Sequence, residues 1–147
     1  MKEVMDVAMK IVCSVRARSL QRRLFRAHLE ETGAEHTDLL LHTDRWLSRG
    51  IFLARFTELL PEIKDFLKLS KHAEYPKLDD HQWLLDLSFL TDITGLLNEL
   101  NSELQGKDKN VMNMISSVNT FKSKLKLLFS RLQHCDLRNF PHMQVEL

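Results

Sequence analysis

Apolar residues recur every three to four positions along most of the chain, and the breaks in that recurrence divide it into helices. Val4, Ala8, Ile11 and Val15 share one face of a helix over residues 2–17. The stripe slips between Arg16 and Ser19, where Leu20 and Leu24 begin a new one. Ser19 stands where a cap for a second helix would fall, with an end near Glu31 and Gly33 just beyond it. Residues 39–43 open on three leucines, a run too short for periodicity to decide between a buried strand and a buried turn of helix. From Ser48, read as the next N-cap, Phe52, Phe56, Leu59, Ile63, Phe66 and Leu67 hold their phase through Pro61. Proline lacks a donor and clashes with the preceding turn, so a kink or restart is predicted near Leu60. Residues 70–78 lose the period and read as a loop.

Two long helices are predicted next. Asp79 and Gln82 have the spacing of a capping box, and Trp83, Leu84, Leu87, Leu90, Ile93, Leu97, Leu100 and Leu104 sustain a stripe up to Gly106. At about 1.5 Å per residue this helix is on the order of 35 to 40 Å long. Gly95 lies inside it at a cost of about 1 kcal/mol relative to Ala, which predicts close approach of another helix there. The final helix starts near Asp108 or Asn110 and runs through Val111, Met114, Ile115, Val118, Phe121, Leu125, Leu128, Phe129 and Leu132. Lys122, Lys124, Lys126 and Arg131 flank its stripe, where cations near a helix C-terminus also suit the helix dipole. The short connection over residues 105–109 makes the two helices an antiparallel hairpin. Past His134 the pattern stops, and Phe140-Pro141 interrupts it. The fold class is therefore mainly α, built of antiparallel amphipathic helices, with a short strand at about 39–43 left open. Residues 1–45 form a helical arm and residues 46–147 the longer helical region.

With 147 residues the chain fits one domain; 44% hydrophobic and 28% charged residues, with 4 glycines and 3 prolines, suit a helical globule rather than disorder. A formal net charge of +1 gives no global attraction for nucleic acid, so that case must rest on local clustering. Two clusters qualify. Arg16, Arg18, Arg22, Arg23 and Arg26 form a strip suited to bidentate phosphate contacts, but Glu30, Glu31, Glu35 and Asp38 follow and suit an ordinary solvated face equally. Arg45, Trp46 and Arg49 place a large aromatic face between two cations, a platform for a base or phosphate; the plainer alternative is that Trp46 plugs a core.

No apolar run approaches the length of a membrane span, and the first residues lack the apolar stretch of a signal peptide. Cys13 and Cys135 stand apart and unaccompanied, which argues against a disulfide framework or zinc site and for a reducing, intracellular setting. His28, His36 and His42 are spaced by eight and six residues, off any single helix face, and read as surface or loop residues. There is no Gly-rich phosphate loop, nucleophile elbow or His-Glu-x-x-His, so no cofactor, metal or small-molecule substrate is expected.

The run from His42 to Gly50 (His-Thr-Asp-Arg-Trp-Leu-Ser-Arg-Gly) resembles a segment of hAT-superfamily transposases. The similarity is greatest to vertebrate domesticated copies, the group of general transcription factor II-I repeat domain-containing, BED-type zinc-finger and SCAN-fusion proteins. Two further blocks match in the same order: residues 15–21 (Val-Arg-Ala-Arg-Ser-Leu-Gln) and residues 100–107 (Leu-Asn-Ser-Glu-Leu-Gln-Gly-Lys). One residue fewer separates Thr43 from Arg45 than in the relatives, which rotates Arg45 and Trp46 relative to the leucine run. The resemblance implies a partial RNase H-like core followed by the start of a helical insertion. It also implies that the three carboxylates holding two metal ions for phosphoryl transfer fall outside the chain, as does the BED finger. A non-catalytic, nuclear protein follows as the expectation. Its nucleic-acid contacts would be Arg16, Arg18, Arg22, Arg23, Arg26, Arg45, Trp46 and Arg49. The alternative is a protein-interaction or self-association module acting through apolar helix faces.

Overall fold

The computed structural model describes residues 2–41, 46–70, 75–106 and 110–146. Among these residues the helices follow in the order α1 (Lys2–Arg16), α2 (Ser19–Thr32), α3 (Trp46–Glu58), α4 (Leu60–Leu69), α5 (His81–Leu104), α6 (Val111–Gln133) and α7 (Pro141–Glu146), with a 3-10 turn at Pro76–Asp79. The mainly α class is as predicted. The short strand is not: no strand occurs among the described residues, residues 39–41 are irregular, and His42 and Thr43 lie outside them. Side chains take the backbone groups a strand would pair. The Leu39 N–H donates to Asp38 Oδ1 at 2.9 Å, the Leu39 carbonyl accepts from Arg16, and the Asp38 carbonyl accepts from Arg55 at 3.3 Å. Without a strand among the described residues there is no sheet among them, so the partial RNase H-like core is not supported either.

One hydrophobic cluster joins the first five helices. Val4, Ala8, Ile11, Val12 and Val15 of α1 meet Phe25 and Leu29 of α2, the linker residue Leu39, Phe52, Leu53 and Phe56 of α3, Ile63 and Phe66 of α4, and Trp83, Leu84 and Leu87 of α5. The α1 stripe is the one its sequence period marks. Phe25 meets Phe66 edge-on at 5.1 Å between ring centroids, and Phe52 stacks on Phe56 at 6.1 Å.

Helix ends depart from expectation in instructive ways. Ser19 is already helical; the cap position is Arg18, extended and making no side-chain cap bond. At the other end Gly33 adopts φ 69, its N–H reaching Glu30 O at 3.3 Å and the Ala34 N–H reaching Leu29 O at 3.0 Å. That is a Schellman closure, which glycine allows without steric cost. Trp46 and Leu47 are already helical, so Ser48 lies inside α3 rather than capping it. The break between α3 and α4 falls at Leu59, as Pro61 requires. Of the predicted loop, residues 71–74 lie outside the described residues, and Pro76–Asp79 winds into the 3-10 turn. Asp80 rather than Asp79 caps α5, its Oδ1 accepting from the N–H groups of Gln82 at 3.1 Å and Trp83 at 3.4 Å. Gln82 does not complete a capping box; its amide donates to Asp86. Asn110 caps α6 through the Asn113 N–H at 2.8 Å.

Past α6 the chain does not lose its order. Phe140 is fully buried and stacks on Phe89 of α5 at 6.0 Å. Pro141 opens α7, a place where a missing N–H costs nothing. The buried carboxylate of Asp92 then caps α7 from outside it, accepting from the N–H groups of His142 at 3.3 Å and Met143 at 3.2 Å, and meeting His142 Nδ1 at 2.6 Å. Sequence period missed this because the partner of residues 140–143 lies fifty positions away.

The close approach expected at Gly95 occurs instead at Gly50. Gly95 is exposed, and a Cβ there would meet nothing within 4 Å. Gly50 is buried in α3 against α5, and a Cβ would lie 3.0 Å from Asn98 Cγ and nearer still to its Nδ2. Asn98 in turn donates to the Leu47 carbonyl at 3.4 Å. Two substitutions follow, read by urea unfolding. Gly95→Ala stabilises by about 1 kcal/mol. Gly50→Ala destabilises by about 1 kcal/mol or more, and its effect turns stabilising in an Asn98→Ala background, where the obstruction is gone.

Candidate docking surface

The arginine strip divides once it is folded. Arg16 and Arg22 turn toward the linker after α2. Arg22 Nε donates to Asp38 Oδ2 at 2.8 Å, and Arg16 Nη1 lies 3.6 Å from the same oxygen while donating to the Leu39 carbonyl. The Asp38 side chain is only 17% exposed and the Arg16 side chain 18%, so this is a partly desolvated cluster rather than a surface ion pair. His36 fastens the same linker to the end of α3, meeting Glu58 at 2.6 Å.

Arg18, Arg23 and Arg26 remain exposed, with no ion pair among the described residues. Arg23 and Arg26 stand three residues apart on one side of α2, four residues before Glu30 in the case of Arg26. Arg45 lies outside the described residues. Trp46 is the first described residue of α3, and Arg49 is half-buried in that helix. Among the described residues the structure thus brings Arg16 and Arg22 together on a carboxylate and leaves Arg18, Arg23 and Arg26 exposed.

Sequence reasoning placed apolar residues of α6 in a stripe without showing which of them would be covered. α6 is 23 residues long and buries one, Leu128. Phe121 and Leu132 are half-buried on the same side, one to two turns away. Elsewhere the helix leaves Val111 70%, Met112 73%, Ile115 50% and Phe129 64% exposed, with Leu125 and Leu127 also open. Lys124 ties the helix to α5 through Glu99 at 3.3 Å. A second apolar feature lies on α5. Over its last turns, Thr94, Leu97, Asn98, Leu100 and Leu104 line a groove of about 770 Å³ with Leu47 of α3. The groove lies toward the end of the hairpin where α6 begins, since only residues 105–110 separate the two helices. Single exposed apolar residues are ordinary; a series of them along one helix makes α6 the candidate docking surface. Cys13 and Cys135 are both free and exposed. No helix among the described residues is long and apolar enough to cross a membrane.

Fold and surface together define a helical domain that carries a two-helix extension with an uncovered apolar side. The chain belongs to the FAM200/GTF2IRD2 helical domain family, whose model matches residues 1–133. General transcription factor II-I repeat domain-containing protein 2 of Mus musculus is 37% identical over 145 residues, covering 98% of this chain and 15% of that protein. Its Bos taurus counterpart is 36% identical over the same length and shares. The chain therefore spans about 15% of the length of these curated relatives. No solved structure matches it. The relatives are the domesticated, transposase-related group to which the three sequence blocks point.

If the exposed residues of α6 are surface and Leu128 is core, charge separates them. Ile115→Asp and Phe129→Asp each leave stability within about 1 kcal/mol of the parent, whereas Leu128→Asp costs about 3 kcal/mol or more. Thermal and urea unfolding measure both.

Proposed function

We propose that this chain is a non-catalytic docking domain of a nuclear, transposase-derived protein, and that it binds another protein through the α5–α6 hairpin. The observation that carries this reading is the length of α6 left uncovered, with Leu128 its one buried residue. A helix earns most of its stability in a protein from packing one face, and α6 presents a second apolar face beside the one it uses. The nuclear setting is supported by the relatives, named as general transcription factor II-I repeat domain-containing proteins. The non-catalytic part rests on the resemblance, in which the metal-holding carboxylates fall outside the matched blocks.

Nucleic-acid binding is a second reading, favoured by the exposure of Arg18, Arg23 and Arg26. Arg45, Trp46 and Arg49 would complete that contact. Against it, Arg16 and Arg22 are engaged by Asp38, which removes two cations from the strip.

Fluorescence anisotropy with labelled duplex DNA, compared at about 50 and 200 mM salt, separates the two. The docking reading expects no saturable, salt-dependent binding. It also expects photocrosslinkers at positions 115 and 129 to capture protein in nuclear extract, and one at position 23 to capture none. Saturable DNA binding that Arg23→Glu and Arg26→Glu weaken would replace docking with the second reading.

A further inference from the structure

We propose that the outer face of α6 receives an acidic amphipathic helix of a partner protein. The inference rests on the docking reading above and specifies the partner's chemistry. Exposed Val111 is followed along one side of α6 by exposed Ile115, half-buried Val118 and exposed Leu125 and Phe129, at offsets of 4, 7, 14 and 18 residues. At the remaining place in that series, offset 11, stands Lys122, and Lys126 borders the stripe one turn further on. A lysine inside an exposed apolar stripe is desolvated when the stripe is covered, and this is unfavourable unless a carboxylate meets it. α6 contains no Asp or Glu, and neither Lys122 nor Lys126 has an ion pair among the described residues. Lys124, by contrast, is already neutralised by Glu99 across the hairpin. The covering surface must therefore bring acids to Lys122 and Lys126 and apolar anchors to the residues around them.

A second α6 in full register does not satisfy this. Lys122 is the central residue of Val111–Gln133, so in full overlap it faces its own counterpart whether the two helices run parallel or antiparallel. Neither arrangement supplies a carboxylate from α6. A partner helix with apolar residues at i, i+4 and i+7, flanked by Asp or Glu, meets both demands.

Selection from a phage-displayed library of randomised 20-residue helical peptides against the purified chain tests this. The expected winners carry Asp or Glu beside two or three spaced Leu, Ile or Phe, and bind about ten-fold or more weakly to Lys122→Glu/Lys126→Glu. The expected rescue is that peptides with those acids changed to Lys bind the charge-reversed variant. Neutral or basic winners that still need Ile115 and Phe129 overturn the acidic partner and leave docking through α6 standing. Winners indifferent to Ile115→Asp/Phe129→Asp, or none, overturn both. Concentration-dependent dimers abolished by Phe129→Asp, or cosedimentation with phosphatidylserine vesicles abolished by Lys122→Glu/Lys126→Glu, replace the acidic helix with a second copy or a lipid surface.

Discussion

The Asp38 carboxylate holds the first half of the fold in register. It sits in the linker between α2 and α3, accepts from Arg22 of α2, faces Arg16 of α1 and closes on the Leu39 N–H, while Arg55 of α3 takes the Asp38 carbonyl. Three helices are thereby tied to two consecutive linker residues, and Leu39 is carried into the core at 1% exposure. Charged hydrogen bonds in a half-buried place are stronger than exposed ion pairs, and losing one partner leaves the others uncompensated. With the linker so fixed, α3 enters against α5, where Gly50 lets the two backbones close on Asn98. α5 then extends past the core and carries α6.

Most of the helices could be read from the order of residues, because each hides one stripe and the stripe has a period. The chain break at Pro61, the closure at Gly33 and the hairpin between α5 and α6 are local events with local signals. What escaped were relations across distance. Asp38 is one more acid after an arginine strip until the fold brings it to Arg16 and Arg22. Asp92 looks like an interruption of the α5 stripe until α7 places its N–H groups there. The glycine that admits a close neighbour is Gly50 rather than Gly95, and nothing in either one's sequence surroundings distinguishes them. The three leucines at 39–41 read equally as strand or helix and are neither: Arg16 and Asp38 take the backbone groups of Leu39, and Arg55 takes the carbonyl of Asp38.

The same division runs through the candidate sites. A strip of arginines is visible in the sequence, but whether a guanidinium is available is decided by folding, and Arg16 and Arg22 are used to hold the linker. The stripe of α6 is equally visible, but period alone does not separate the side that packs from the side that waits. Folding turns Leu128 inward and leaves Val111, Ile115 and Phe129 outside with Lys122 among them. Arg16 and Arg22 serve the chain's own structure while Arg18, Arg23 and Arg26 stay exposed, and the apolar, basic helix α6 stays largely uncovered among the described residues.

A double-mutant cycle on Arg22 and Asp38, with both single alanine variants and the pair compared by urea unfolding, reaches this division most directly. A coupling of about 1 kcal/mol or more is expected if the guanidinium is a tie within the fold. A coupling near zero would mean that Arg22 is held by nothing in the chain, and would return the arginine strip to the surface as a place for phosphate.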